Sequence, residues 1–292
     1  MLHYEFMQRA FLAGGLIALI APILGVFLVL RRQSLMSDTL SHVSMAGVAL
    51  GSVLHASPVL FGFAFAVAGG LTIEQLRRTY KTYSEVPVAI IMTSGLALAM
   101  VLMSLKTSLN KSLSSYLFGS IVAVSSFQLF AIAGITVLGL LFFIILRRPL
   151  YSLTFEEDTA AVSGVPVRLL SFAFAVMTGV IVAAAMPIVG VLLVSSMIVL
   201  PSAFALRLAS GFASASAIAV ITGLAGVCGG LTASYYTDTP PGGAIALMLL
   251  AILLTGVCAQ RIAKQGIKRR GRKIKTDVQL TRQTMNEGGF KS

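Results

Sequence analysis

Charge is scarce in this 292-residue chain: Lys, Arg, Asp and Glu together make up 11% of it, whereas about a quarter is usual in a soluble domain. That shortage excludes a soluble globular enzyme. Tryptophan is absent, and there are only three histidines and two cysteines. Cys228 and Cys258 stand apart in apolar sequence with no CxxC pair, so there is no basis for a disulfide framework or a thiolate metal centre. No HExxH is present, which removes the common two-histidine metalloprotease site. No GxxxxGK[ST] loop is present either; the terminal GGFKS lacks the first glycine, the GK order and a following helix. The chain therefore has no phosphate loop for ATP, and any active process it serves draws energy from a partner or a gradient.

What is present is apolar: 57% of the residues are hydrophobic. At ~20 residues per crossing the length accommodates roughly eight to ten membrane helices. Hydropathy and breaker residues predict nine spans, at 10–30, 38–55, 58–76, 86–105, 126–146, 167–186, 187–206, 211–235 and 242–260. The expected fold is an all-α polytopic bundle in one permease domain, 1–260, followed by a basic tail, 261–292. Met186, Pro187 and Gly190 mark the turn between the sixth and seventh spans, and a kinked continuous helix there would reduce the count to eight. The first apolar run, Ala10–Leu30, is too long for a signal segment and reads as a retained span.

The net charge of +12 is local, because residues 261–292 hold ten basic and two acidic residues. A basic segment after a last span is an orientation signal rather than a nucleic-acid footprint. With that tail inside, Arg31, Arg32, Arg77, Arg78, Lys81, Arg147, Arg148 and Arg207 also fall inside and the N-terminus outside; Lys106 and Lys111 dissent. Gly47/Gly51 and Gly226/Gly230 form GxxxG pairs, expected to serve packing within the chain.

Ionisable groups within spans are costly and therefore informative. Asp38 and His42, in SLMSDTLSHVSMAGVALG, are four apart and share a helical face that Met45 and Ala49 continue. Gly47 and Gly51 lie opposite. A carboxylate and an imidazole are ligand types for a borderline divalent ion. A buried Asp–His hydrogen bond that fixes packing is the alternative, and Asp38 is also a candidate N-cap near the cytoplasmic end. Glu74 precedes Arg77 and Arg78 by three and four residues, as in a helix-end ion pair. His55 reads as a loop histidine. Asp238, in YYTDTPPGGAIAL, is either a turn aspartate or a carboxylate at the outer mouth that attracts a cation.

Between the fifth and sixth spans, RRPLYSLTFEEDTAAVSGVPVRLL is too polar to cross. It predicts a short cytoplasmic helix over 154–166, with Thr154 as cap, Glu156, Glu157 and Asp158 in the first turn, and Gly164 with Pro166 ending it. Such a helix suits docking into a groove on another protein.

FLVLRRQSLMSDTLSHVSMAGVALG, SLTFEEDTAAVSGV and SYYTDTPPGGAIAL, taken together and in that order, resemble the permease subunit of bacterial zinc/manganese ABC importers over about residues 9–260. Arg31, Ser34, Asp38, Ser41, His42 and Gly47 carry the most specific part. The resemblance implies a multi-pass subunit of the bacterial inner membrane that is not itself an enzyme. It also implies a second permease copy, a cytosolic ABC ATPase dimer that uses the ATP, and an extracytoplasmic metal-binding receptor. Asp38 and His42 match the family's metal path, 154–166 matches its coupling helix, and Asp238 matches a position on the external side. No stably bound cofactor is implied; the passing ion, zinc by the closeness of SDTLSHVSMAG to the zinc branch, is cargo. Manganese import by the same machinery and a proton-coupled secondary carrier are the alternatives.

Overall fold

In a bilayer every backbone N–H and C=O must find its partner inside the protein, which a helix does segment by segment. The computed structural model describes residues 4–80, 85–105, 116–120, 125–155 and 157–260, and no strand occurs among them. Lys81, Lys106, Lys111, Glu156 and the tail expected at 261–292 lie outside the described residues.

The helices are α1 (Glu5–Leu30), α2 (Met36–Val53), α3 (Pro58–Thr79), α4 (Glu85–Ser104), α5 (Ser126–Ile145), α6 (Arg147–Phe155), α7 (Glu157–Val162), α8 (Val167–Val189), α9 (Val194–Leu208) and α10 (Phe212–Thr237). A last one, α11, runs Pro241–Gln260. Among the described residues seven of these, α1, α3, α4, α5, α8, α10 and α11, are long and apolar enough to cross a membrane. The nine predicted spans are thus not all matched. The helix at the second, α2, has 18 continuous residues, but Asp38, His42 and its hydroxyl side chains make it too polar to count. The one at the seventh, α9, has 15 residues and is only ~22 Å long at 1.5 Å per residue, short of a ~30 Å hydrocarbon core.

The break between the sixth and seventh spans falls later than the sequence suggests. Pro187 sits inside α8, which continues to Val189 and ends at Gly190 with φ +87° and ψ 149°. That conformation is essentially reserved for glycine. Backbone that leaves the helices here pairs with helical carbonyls: Val191 N–H donates to that of Tyr116 at 2.9 Å, and Ser120 N–H to that of Pro187 at 3.2 Å. A side chain at Gly190 would meet the Leu117 carbonyl, and one at Gly242 the Val189 carbonyl. Residues 116–120, 187–192 and the start of α11 are therefore pressed backbone to backbone, as irregular structure at membrane depth requires.

The interior is built around α1 and α8, whose apolar residues are buried nearly all round. At one end Phe27 of α1 stacks on Phe143 of α5 with ring centroids 5.2 Å apart and meets Phe212 of α10 at 4.8 Å. The GxxxG pairs serve packing within the chain as expected. A Cβ at Gly47 would strike Phe61 and Phe65 of α3, one at Gly51 would come within 2.9 Å of Pro58, and Gly226 and Gly230 face Leu249 and Ile245 of α11.

Substituting Gly190→Ala combines a disfavoured φ with a backbone clash, and should lower stability by about 2 kcal/mol or more. Gly15→Ala, with open space around it, should leave the melting midpoint of the detergent-purified protein unchanged or slightly raised. Thermal size-exclusion profiles of the two variants check this, and equal midpoints would refute the account of the junction.

Candidate functional site

α2 is polar for a buried helix, and it resolves that by returning its hydroxyls to backbone. Ser41 donates to the Ser37 carbonyl at 2.9 Å, Thr39 to that of Leu35 at 3.0 Å, and Ser44 across to Gly62 of α3 at 3.0 Å. Thirteen of its 18 residues are buried. The residues left with access near its start are Leu35, Asp38 and His42, spaced along one face. The side chain of Asp38 keeps 26% of its surface and that of His42 keeps 11%, so the pair is neither sealed inside the chain nor fully solvated.

Asp38 Oδ2 and His42 Nε2 lie 4.0 Å apart, beyond hydrogen-bond distance. His42 Nδ1 is buried with no hydrogen-bond partner. A packing hydrogen bond between the two is therefore not formed, and one ring nitrogen is left unsatisfied in a place where that costs free energy. Tetrahedral zinc with ligands at its usual distances needs donors ~3.3 Å apart, a side-chain rotation away from what is seen. No group of three or more His, Cys, Asp and Glu exists among the described residues, so the pair is an incomplete ligand set. Met45 and Ala49, expected to continue the open face, are buried instead; access closes beyond His42 and returns only at Leu50, Ser52 and Val53.

The pair sits towards the arginine-rich end of the helix. Asp38 is the third residue of α2, beside Thr39, whose hydroxyl is 3.5 Å from the Val88 carbonyl near the start of α4. Asp38 does not act through a side-chain cap, since the N-cap position is Leu35 and no side-chain cap bond forms. Asp238 lies elsewhere, exposed at the left-handed C-cap of α10 with φ 50°. His55 is exposed in the turn between α2 and α3.

Below the pair, charges converge from distant parts of the chain. Glu74, 5% exposed, takes Arg77 Nε at 3.0 Å and Arg78 Nη2 at 3.0 Å. Arg77 also reaches Glu157 of α7 at 3.7 Å. Arg31, just past α1, lies over the Phe174 ring at 4.9 Å and reaches the Ser171 hydroxyl at 3.5 Å. Its pKa is lowered to about 10, first because burial penalises the cation and then because Arg77 repels it, with Glu74 and Glu157 opposing both. The expected helix-end pair at Glu74 is present, and it is the centre of a larger cluster that the sequence reading did not foresee.

The segment between the fifth and sixth predicted spans also differs from expectation. It forms two helices, not one over 154–166. Thr154 is no cap for the second: it lies inside α6 and donates to the Leu150 carbonyl at 2.7 Å. Glu157 and Asp158 do occupy the first turn of α7. Gly164, at φ +81°, ends the segment, with Val165 N–H returning to the Ala160 carbonyl at 3.1 Å. The Arg77–Glu157 contact ties α7 to the foot of α3.

Residues 3–260 match the ABC 3 transport family. The chain belongs to that family. As an ABC 3 permease it is a transport subunit of the inner membrane rather than an enzyme, and ATP hydrolysis lies in a partner. It is 33% identical over 264 residues, 90% of this chain and 99% of the other, to a probable metal transport system membrane protein of Treponema pallidum. It is 29% identical over 244 residues to the high-affinity zinc uptake system membrane protein ZnuB of Haemophilus influenzae, covering 84% of this chain and 94% of the other. It is 28% identical over 248 residues to the manganese transport system membrane protein MntC of Halalkalibacterium halodurans, covering 85% of each. Among solved structures, PsaBC from Streptococcus pneumoniae in complex with Fab matches with TM-score 0.77 and 28% identity over 87% of this chain and 91% of that one.

Removing the carboxylate at Glu74 leaves the half-buried Arg77 and Arg78 opposed only by the longer Arg77–Glu157 contact, and Glu74→Ala should cost about 3 kcal/mol. Glu5→Ala breaks an exposed pair with Arg9 and should leave the melting midpoint in place. Thermal unfolding in detergent compares them; a Glu74→Ala midpoint equal to wild type would remove the cluster from the account of stability.

Proposed function

We propose that this permease carries a divalent metal, zinc in preference to manganese, into the cytoplasm, and that Asp38 and His42 are its ligands on the way. The observation that carries the reading is the buried, unpartnered Nδ1 of His42 beside an Asp38 oxygen too far away to satisfy the ring. Two donors in one chain bind an ion weakly, as a path requires. A second copy facing the first would supply two more, making the four that zinc favours. The similar proteins support a metal as cargo; they include zinc and manganese systems at nearly equal identity, so the preference rests on the imidazole nitrogen.

In this mechanism an extracytoplasmic receptor delivers the ion to the outer face, where Asp238 adds a favourable charge at the mouth. A cytosolic ATPase dimer engages the segment that holds Glu157, Asp158 and Gly164, together with Thr154 and Glu156. Its closure shifts the balance between outward and inward access. The Arg77–Glu157 tie offers a route from that segment to α3, against which α2 packs through Gly47 and Gly51. The ion leaves when the ligand geometry is lost.

His42→Ala should abolish uptake of radioactive zinc while membrane insertion and ATPase co-purification persist. Uptake at the wild-type rate would take His42 out of the path. Competition among unlabelled divalent ions should rank zinc above manganese, and the opposite order would reassign the cargo. Transport by the chain alone in liposomes, driven by a proton gradient, would favour the secondary-carrier reading.

A further inference from the structure

At the arginine-rich end two adjoining cavities share a wall. The first, about 480 Å³, is lined by Arg147, Arg148, Tyr151, Ser152 and Phe212. The second, about 240 Å³, shares Tyr151 and Phe212 and continues past Leu30, Phe155, Leu206 and Ala215. The first carries both arginines on a wall that is half apolar; the second has no charged residue and mixes the apolar side chains with the backbone turn at Ser210 and Gly211. Tyr151 and Phe212 stand 5.9 Å apart at 85° between them.

The placement relative to the bilayer follows from the chain. Arg147 comes directly after α5, whose last turn exposes Ile144 at 69% and Ile145 at 72%, the surface expected of a helix in contact with lipid. The polar cavity therefore opens where that apolar surface ends, on the cytoplasmic side. Arg147 and Arg148 are exposed and make no ion pair with any described residue. Among the described residues no carboxylate pairs with them, unlike Arg77 and Arg78, which Glu74 holds. A basic pocket beside an apolar cleft at the inner boundary matches an amphiphile with an anionic head.

We propose that these two cavities form a binding site for an anionic phospholipid of the inner leaflet, with the phosphate at Arg147 and Arg148 and the start of an acyl chain against Leu30, Phe155, Leu206 and Phe212. Guanidinium groups hold phosphate oxygens by charge-assisted hydrogen bonds, and the aromatic wall suits the boundary between headgroup and chain. The site lies on α6, next to α7, so the lipid would brace the segment that faces the cytosol.

Native mass spectrometry of the full chain in detergent, titrated with dioleoylphosphatidylglycerol or dioleoylphosphatidylcholine, tests this. The phosphatidylglycerol adduct should be preferred, and Arg147→Gln/Arg148→Gln should weaken it about tenfold. Arg147→Lys/Arg148→Lys should retain most of the binding. Arg32→Gln/Arg168→Gln removes equal charge elsewhere on the same side and should bind as wild type. Equal binding of the two lipids, or an undiminished adduct in the glutamine double variant, would overturn the proposal. Full displacement of the lipid by millimolar inorganic phosphate would assign the arginines to a free anion instead. Loss of ATPase co-purification from the glutamine variant with lipid binding unchanged would assign them to the partner subunit.

Discussion

The carboxylate of Glu74 is the contact on which the arginine-rich end depends. Three guanidinium groups approach one another there, and without an opposing charge each would bear the full penalty of losing water near its like. Because Glu74 is buried at the foot of α3 and takes Arg77 and Arg78 at 3.0 Å, Arg31 can remain charged although its pKa falls to about 10. The ends of α1, α3 and α8 can then meet the first turn of α7. The cost is local, and it is met by the side chains best able to form several bonds at once.

The same principle, applied to backbone, shapes the other end. Ser120, Val191 and Leu192 leave helical geometry but still donate to the carbonyls of Pro187, Tyr116 and Leu117, and glycines at 119, 190 and 242 allow the approach. The metal-path candidate on α2 lies between these two fixed regions. Its helix is held against α3 through Gly47 and Gly51, which leaves Asp38 and His42 as the polar groups not committed to packing.

Much of this was legible in the sequence because long apolar runs have one physical outcome in a membrane. The runs that became α1, α3, α4, α5, α8, α10 and α11 needed only length and hydropathy. Asp38 and His42 stood out since an ionisable pair four residues apart is rare in such surroundings. The break at Gly190 was displaced towards Pro187 because a proline draws attention, yet its ring constrains the turn before it; the left-handed φ that ends α8 needs glycine. Thr154 misled for a related reason: its hydroxyl serves equally as a cap or as a donor to the carbonyl four residues back, and Leu150 and Leu153 on one face extended α6 through it. The contacts of Arg31 with Ser171 and of Arg77 with Glu157 join residues remote in the chain, and no local pattern encodes them.

The shortness of α9 has an electrical meaning. Fifteen residues span less than the oil layer, so α9 alone does not cross the full depth, and the backbone turned at Gly190 adjoins its start. A transmembrane voltage falls most steeply where the insulating path is shortest. Moving one elementary charge through the full potential is worth about 2.3 kcal/mol per 100 mV, and twice that for a divalent ion. Any charge carried beside so short a rod would meet that drop over a shorter distance than along a full-length span.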